Sequence, residues 1–358
     1  YIRWVGIVIA IPIVLFLLIV ILLYCPPVQN WAVKRVASYA SQKMGMNITV
    51  EKVKLVFPLD LGVEGVRVLQ PNDSVTGQTD TIANVGKIVA NVQLLPLFSS
   101  KVEVNELSLH DVRMNTANLV HEARIKGDVG LLLVQSRGVD LKSKTIRVNQ
   151  AQLRDANISV ELSDTVPPDT TKTPVYWKIK VDKLLVERSK AMIRTAGDTM
   201  VVLAEMPKLE AKNGYFDLFK NLYRIETLNW QDGSVNYDLT HKPRTDGLDP
   251  NHIRLTHLDL GVDSFYFCQP ELKMKVRVCA FKEKSGVQIN HFSTHVGLDS
   301  ARLDLPDLVL RTPESSVSAN FNMDMNAFDD NNPGKLYVAL HASLGKADLL
   351  RAMGGMPE

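Results

Sequence analysis

Few residues in this chain stand at spacings that could do chemistry. His291 and His295 are four apart, a metal-ligand spacing on a helix and a same-face spacing on a strand. No Asp or Glu stands beside them and no Cys partners them, so packed or solvent-facing histidines are expected. Asp111, Asp155 and Asp232 could supply a carboxylate pair for acid–base work. Each stands at a turn-like point of a recurring apolar frame, where Asp suits the backbone, so a structural role is expected. Cys268 and Cys279 could pair across a hairpin, but with Cys25 as the only other cysteine, unpaired buried thiols are the better reading. No metalloprotease His-Glu-x-x-His, Cys-x-x-Cys, Gly-x-Ser-x-Gly or Walker-type loop is present. The chain reads as non-enzymatic, with no cofactor and no metal. Its 41 Lys and Arg against 39 Asp and Glu, with no basic run, exclude the footprint of a nucleic-acid binder.

The elements that would carry any function begin with residues 5–23, continuously apolar apart from Gly6 and Pro12 and free of charge. About 20 such residues cross a bilayer as a helix, and Trp4 and Tyr24 stand where interfacial aromatics gather. No small-residue cleavage site follows, so a retained anchor is expected rather than a signal peptide. Arg3 favours a cytoplasmic N-terminus, against Lys34 and Arg35 on the other side; the body is expected outside. Pro27 can open a second helix. Val28, Trp31, Ala32, Val36, Tyr39, Ala40 and Met44 form one apolar stripe on it, and Gly45 suits its cap.

From Ile48 the periodicity changes to two. A frame recurs: two apolar residues separated by one spacer, a double spacer, then two more apolar residues separated by one. It reads Ile48-Val50-Val53-Leu55, Val102-Val104-Leu107-Leu109, Ile146-Val148-Ala151-Leu153, Ile179-Val181-Leu184-Val186, Tyr223-Ile225-Leu228-Trp230, Ile253-Leu255-Leu258-Leu260 and Leu303-Leu305-Leu308-Leu310. In a regular strand the double spacer would flip the second pair outward; a bulge or corner restores it. Strands bent alike at one point stack into a curved trough. Polar loops separate them at Pro71-Asn72-Asp73-Ser74 and at residues 163–174, 241–251 and 329–334. Helical cover is scarce: the stretch after Pro27, residues 215–222, and residues 347–353. An apolar sheet face must be covered, closed into a barrel, or used. An open trough for acyl chains fits this shortage, and a closed barrel or two-sheet sandwich is the rival.

The sequence resembles the N-terminal part of a TamB/AsmA-like protein. The residues that carry the likeness are the anchor with Val28-Gln29-Asn30-Trp31-Ala32, Gly45-Met46-Asn47-Ile48-Thr49-Val50, Leu61-Gly62-Val63-Glu64-Gly65-Val66, and residues 89–97 and 303–315. The resemblance implies a mainly β chain: a transmembrane anchor (1–26), a short amphipathic helix (27–45), a continuous curved, taco-shaped β-groove (46–346) and the start of a helix (347–358). It implies a conduit moving phospholipid from the inner membrane across the periplasm towards the outer membrane. The groove would be lined by Val53, Leu55, Leu107, Leu109, Ala151, Leu153, Leu184, Val186, Leu228, Trp230, Leu258, Leu260, Leu308 and Leu310. Phospholipid acyl chains are the implied cargo. An outer-membrane β-barrel would be the partner, reached through a further C-terminal part. The alternative is an assembly factor for outer-membrane proteins that binds polypeptide by strand addition.

Overall fold

The structure is a computed structural model that describes residues 34–35, 37–38, 41–42, 46–56, 60–71, 79–92, 104–116, 123–140, 143–162, 176–195, 197, 199–329 and 331–352. The apolar stretch 5–23 lies outside the described residues. Among those described, no helix is long and apolar enough to cross a membrane. Residues 34–35, 37–38 and 41–42 are helical, within the stretch expected to be amphipathic. The Met46 amide bonds the Ser41 carbonyl five residues back, the wide bond that closes a helix C-terminus. Ser41 Oγ also accepts the Ile48 amide, tying that helix to the first strand.

The described residues are mainly β and divide into two compact units, Tyr1–Ala117 and Asn118–Glu358. In the first unit β1 (Asn47–Val56), β2 (Asp60–Pro71), β3 (Thr79–Val92) and β4 (Val104–Asn115) form an antiparallel meander. In the second, eleven strands neighbour each other in chain order. They are β5 (Ala123–Asp140), β6 (Thr145–Leu162), β7 (Lys178–Arg194), β8 (Met200–Asp217), β9 (Leu222–Leu239) and β10 (His252–Cys268). Then come β11 (Glu271–Glu283), β12 (Gln288–Leu298), β13 (Arg302–Arg311), β14 (Ser316–Asp324) and β15 (Leu336–Ser343). A helix, α1 (Lys346–Ala352), follows.

Within each unit neighbouring strands pair antiparallel, except β6 with β7, which pair parallel. A parallel pair needs a crossover, and the polar segment between Leu162 and Lys178 supplies it. The connection has 16 residue steps to return beside the start of an 18-residue strand. A straight strand of that length spans about 60 Å, near the full reach of such a connection at about 3.5 Å per step. Bending the strand shortens the return.

The bends are visible in the backbone. Left-handed residues occur inside strands at Gly65, Asp111, Asp155, Arg188, Asn213, Asp232, His257, Ser264 and Asp307, with φ between 46° and 68°. Asp111, Asp155 and Asp232, the acids repeated in the sequence, are thus backbone positions. Every copy of the frame has a break at its double spacer or opposite it. Glu51 faces Gly65, Asp182 and Glu226 face Asn213, and His257 and Asp307 are themselves left-handed. The register shifts beside Asn91 opposite β4, and at Ser136 opposite Val148. In the first unit Val66 and Val112 follow left-handed residues, and in the second Ala156, Ser189, Gly233 and Leu258 do so along one crease; all six are buried. The crease is where a single sheet gains an interior.

Two expectations are corrected. Residues 215–222 are not a helix; β8 runs to Asp217, a turn follows, and β9 starts at Leu222. The closed barrel and the sandwich both fail within the second unit. There, among the described residues, the strands follow one another in a single open order that ends at β15, which pairs with β14 and does not return to β5. Helix α1 does not lie over the apolar face either: Asp348 accepts bonds from the Thr312 and Ser315 hydroxyls and the Glu314 amide, fastening it to the β13–β14 turn.

Candidate functional site: an apolar sheet face

Residues directly opposite in neighbouring strands point to the same face. Following the register from β5 to β15 gives Leu132, Leu153, Val186, Leu209, Trp230, Leu260, Cys279, Phe292, Leu310, Val317 and Ala342. This row crosses all eleven strands without a polar residue. A second row, beyond the other crease, is equally unbroken over the ten strands from β6. It runs Ile146, Ile179, Phe216, Tyr223, Phe267, Leu272, Leu298, Leu303, Met323 and Leu336. Between them Val134, Ala151, Leu184, Ala211, Leu228, Val262 and Val276 make a third over seven strands.

The residues singled out in the sequence fall on these rows as follows. Leu153, Val186, Trp230, Leu260 and Leu310 share the first row; Ala151, Leu184 and Leu228 share the third. Leu258 pairs with Gly233 on the crease, 5 % exposed, and Leu308 pairs with Ala319 beside left-handed Asp307. In the first unit the register carries Val53 to Val63, Ile88 and Leu109, and Leu55 to Leu61, Ala90 and Leu107.

The face is half-covered rather than sealed. Leu153, Leu209, Trp230, Leu260, Phe292 and Leu310 are all partly exposed, where a two-layer core would bury them. Trp230 lies over Gly233, where any Cβ would collide with its indole. Its buried Nε1 has no hydrogen-bond partner among the described residues. Cys279 sits in the same row, and burial pushes its thiol up, keeping it neutral. Cys268 is also a free thiol, facing the Lys220 carbonyl at 3.6 Å. The two cysteines lie apart along the β10–β11 hairpin, Cys268 facing Glu271 beside the turn and Cys279 facing Leu260 within the strands.

The opposite face is polar. Arg188 grips Asp155 through two bonds of 2.7 and 2.8 Å, bridging two left-handed residues across the parallel pair. That guanidinium holds the Asp155 carboxyl below its ordinary range. His257 and Asp232, also left-handed, meet at 2.9 Å. Lys190 bonds Glu205 at 2.6 Å and lowers its pKa. His291 bonds Ser293, whereas His295 approaches Asp307 at 3.9 Å. Among the described residues no three His, Cys, Asp or Glu side chains gather as a metal site.

Comparison with protein-family models gave no match to the chain, and comparison with curated proteins gave none. The rows are therefore what bears on function.

Sequence reading missed half of them. Leu132, Leu209, Phe292 and Val317 lie on strands between the copies first seen, as do Phe216 and Leu272. A signal was present. The frame reads the same in both directions, and it recurs intact at Leu209-Ala211-Gly214-Phe216 and Leu260-Val262-Phe265-Phe267. That last copy, not Ile253-Leu255-Leu258-Leu260, is the one that matches its neighbours. Ile253 and Leu255 instead pair with Tyr237 and Val235, beyond the crease. On β5 the frame is broken. Leu132, Val134 and Val139 keep their places, but Arg137 stands at the third, where the register skips from Ser136 to Gly138.

Proposed function

We propose that this chain is a non-enzymatic conduit for phospholipid acyl chains, a TamB/AsmA-like β-groove protein held to the inner membrane by residues 5–23, with its body in the periplasm. The observation that carries this reading is the pair of unbroken apolar rows, over eleven and ten strands, on a face that no second layer of described residues covers. At about 4.8 Å per strand they extend for about 50 Å. One leaflet of a bilayer core is about 15 Å deep, so the face is several acyl lengths long. An acyl methylene gains about 0.8 kcal/mol on leaving water for apolar surroundings. A row uniform from strand to strand offers that gain equally at each step, which leaves sliding nearly level in free energy.

Photo-crosslinkers at Leu55, Leu109, Leu153 and Trp230 are expected to capture lipid in cells, while Lys54, His110 and Arg154 beside them do not. Leu153→Asp places a charge against acyl chains at a cost of several kcal/mol. It is expected to abolish transport in protein that remains folded at the membrane. Active protein with no lipid adduct anywhere on the apolar face would refute the conduit. The second reading, an assembly factor working with an outer-membrane β-barrel, is favoured by one feature: among the described residues β15 pairs with β14 alone, and it exposes Tyr337, Val338 and Leu340. Polypeptide captured at β15 in place of lipid on the rows is its signature.

A further inference from the structure

We infer that the end of the sheet where β6, β7 and β9 begin is a binding site for the anionic headgroup of a phospholipid whose acyl chains lie on the apolar rows. This rests on the groove reading and adds a substrate class to it.

The site is built by register. On the polar face Arg147, Lys180, Tyr215, Arg224, Tyr266 and Lys273 pair in succession across six strands, cations interleaved with tyrosines. One residue along each strand, on the other face, stand Ile146, Ile179, Phe216, Tyr223, Phe267 and Leu272 of the second apolar row. Cations and apolar side chains are thus back to back at the same strand ends. Lys144, Lys178 and Lys220 extend the charge past the ends.

These cations are unmatched. Among the described residues none of Lys144, Arg147, Lys178, Lys180, Lys220 and Arg224 has a carboxylate at ion-pair distance, and all six are exposed. Lys273 alone is held, by Glu271 at 3.4 Å. Further along the same face cations are matched: Lys183 with Glu210, Arg154 with Glu187, Arg277 with Asp263. Asp217 lies among the six, but it is 3 % exposed and accepts the Lys220 amide at 3.2 Å. In a chain whose net charge is only +2, so much uncompensated positive charge in one place is an anion site by its chemistry.

Aromatic rings say which anion. Tyr176 and Phe219, 43 % and 52 % exposed, stack at 4.7 Å with Lys144 Nζ 4.7 Å from the Tyr176 centroid. Arg224 lies 5.3 Å from the Tyr266 centroid. Exposed rings among Lys and Arg are the residues of a boundary between hydrocarbon and water. Two open clefts of about 370 and 440 Å³ lie here, sharing Asp217 and Lys220 in their walls. A phosphate in either cleft accepts from ammonium or guanidinium donors while its tails cross the rim to the second row.

The test mixes the full chain in detergent with equal parts phosphatidylglycerol and phosphatidylethanolamine, each carrying a photoreactive acyl chain. Charge-assisted bonds are worth enough to give about a tenfold preference for phosphatidylglycerol. The variant Lys180→Gln/Lys220→Gln/Arg224→Gln is expected to fall to near parity through loss of phosphatidylglycerol capture. Lys183→Gln/Lys212→Gln, further along the same face, is expected to keep the preference. An unchanged preference in the first variant overturns the headgroup site and leaves the groove standing. Glycerol phosphate that competes as well as the lipid also overturns it, by making the site one for free anions. Binding to phosphatidylglycerol vesicles without acyl adducts overturns it too, by making the rim a membrane-docking surface. Failure of wild type to capture either lipid removes the groove reading and this inference together.

Discussion

Asp249 is fully buried in a chain with little interior, and its surroundings explain how it stays charged. Its oxygens accept the Thr245 and Asn251 amides at 3.0 Å and meet His252 Nδ1 at 2.8 Å. The Thr245 amide lowers its pKa most, and together with His252 and the Asn251 amide brings it to about 2, against the opposing effect of burial. A carboxyl whose folded pKa is depressed adds stability above its unfolded value, near 4, and loses it as pH falls through the folded one. The melting temperature of Asp249→Asn should therefore lie below wild type at pH 7, with the difference closing between about pH 4 and pH 2. A difference that persists unchanged at pH 2 would show that the loop does not depend on this ionisation. None of this was legible in the sequence, because the segment 241–251 reads only as polar. The acids of the frame were legible as structural, since Asp tolerates left-handed backbone where most residues do not.

At the scale of elements the crease is the organising device. Asp111, at φ 52°, faces Gly86, where a Cβ would lie 3.1 Å from that of Asp111. Gly130 faces Asp155 in the same way, at 3.0 Å. A left-handed residue opposite a glycine lets two strands bend together without losing register. A β-branched side chain in left-handed backbone is strained by about 1–2 kcal/mol. Asp111→Val is expected to lower stability by that amount, whereas Asp111→Asn stays within a few tenths. Urea denaturation of both variants measures it, and equal midpoints for the two would remove the backbone explanation. The double spacer pointed to a break in each strand, and there the structure agrees. The third apolar stretch after the crease, as in Ala156, Ile158 and Val160, follows the same rule one step further along.

At the scale of the molecule, exposed apolar side chains are concentrated near β15. Phe328 is 79 % exposed, and Tyr337 and Leu340 are each 61 % exposed. Among the described residues β15 is the edge of the sheet; an edge with apolar side chains is a template for another strand, and a lysine there blocks pairing. Tyr337→Lys/Leu340→Lys is expected to abolish concentration-dependent association in sedimentation while leaving the melting temperature nearly unchanged. Association that survives the double variant would place the contact elsewhere.

The sequence by itself determined that the chain is mainly β, which positions are apolar, and that strands carrying the frame must break. These are local matters: side-chain alternation follows from the covalent geometry of one extended strand, and an odd spacing within it demands a correction. It could not decide which strands meet. A frame symmetric under reversal is satisfied by parallel and antiparallel neighbours alike, so it leaves strand direction open. Only the tertiary structure made β6 and β7 parallel, set Ile146 beside Ile179 and Leu153 beside Val186, and paired Trp230 with Leu260. The same long-range pairing gathered Lys144, Lys178 and Lys220 at one rim, from positions too far apart in the chain for any local pattern to join.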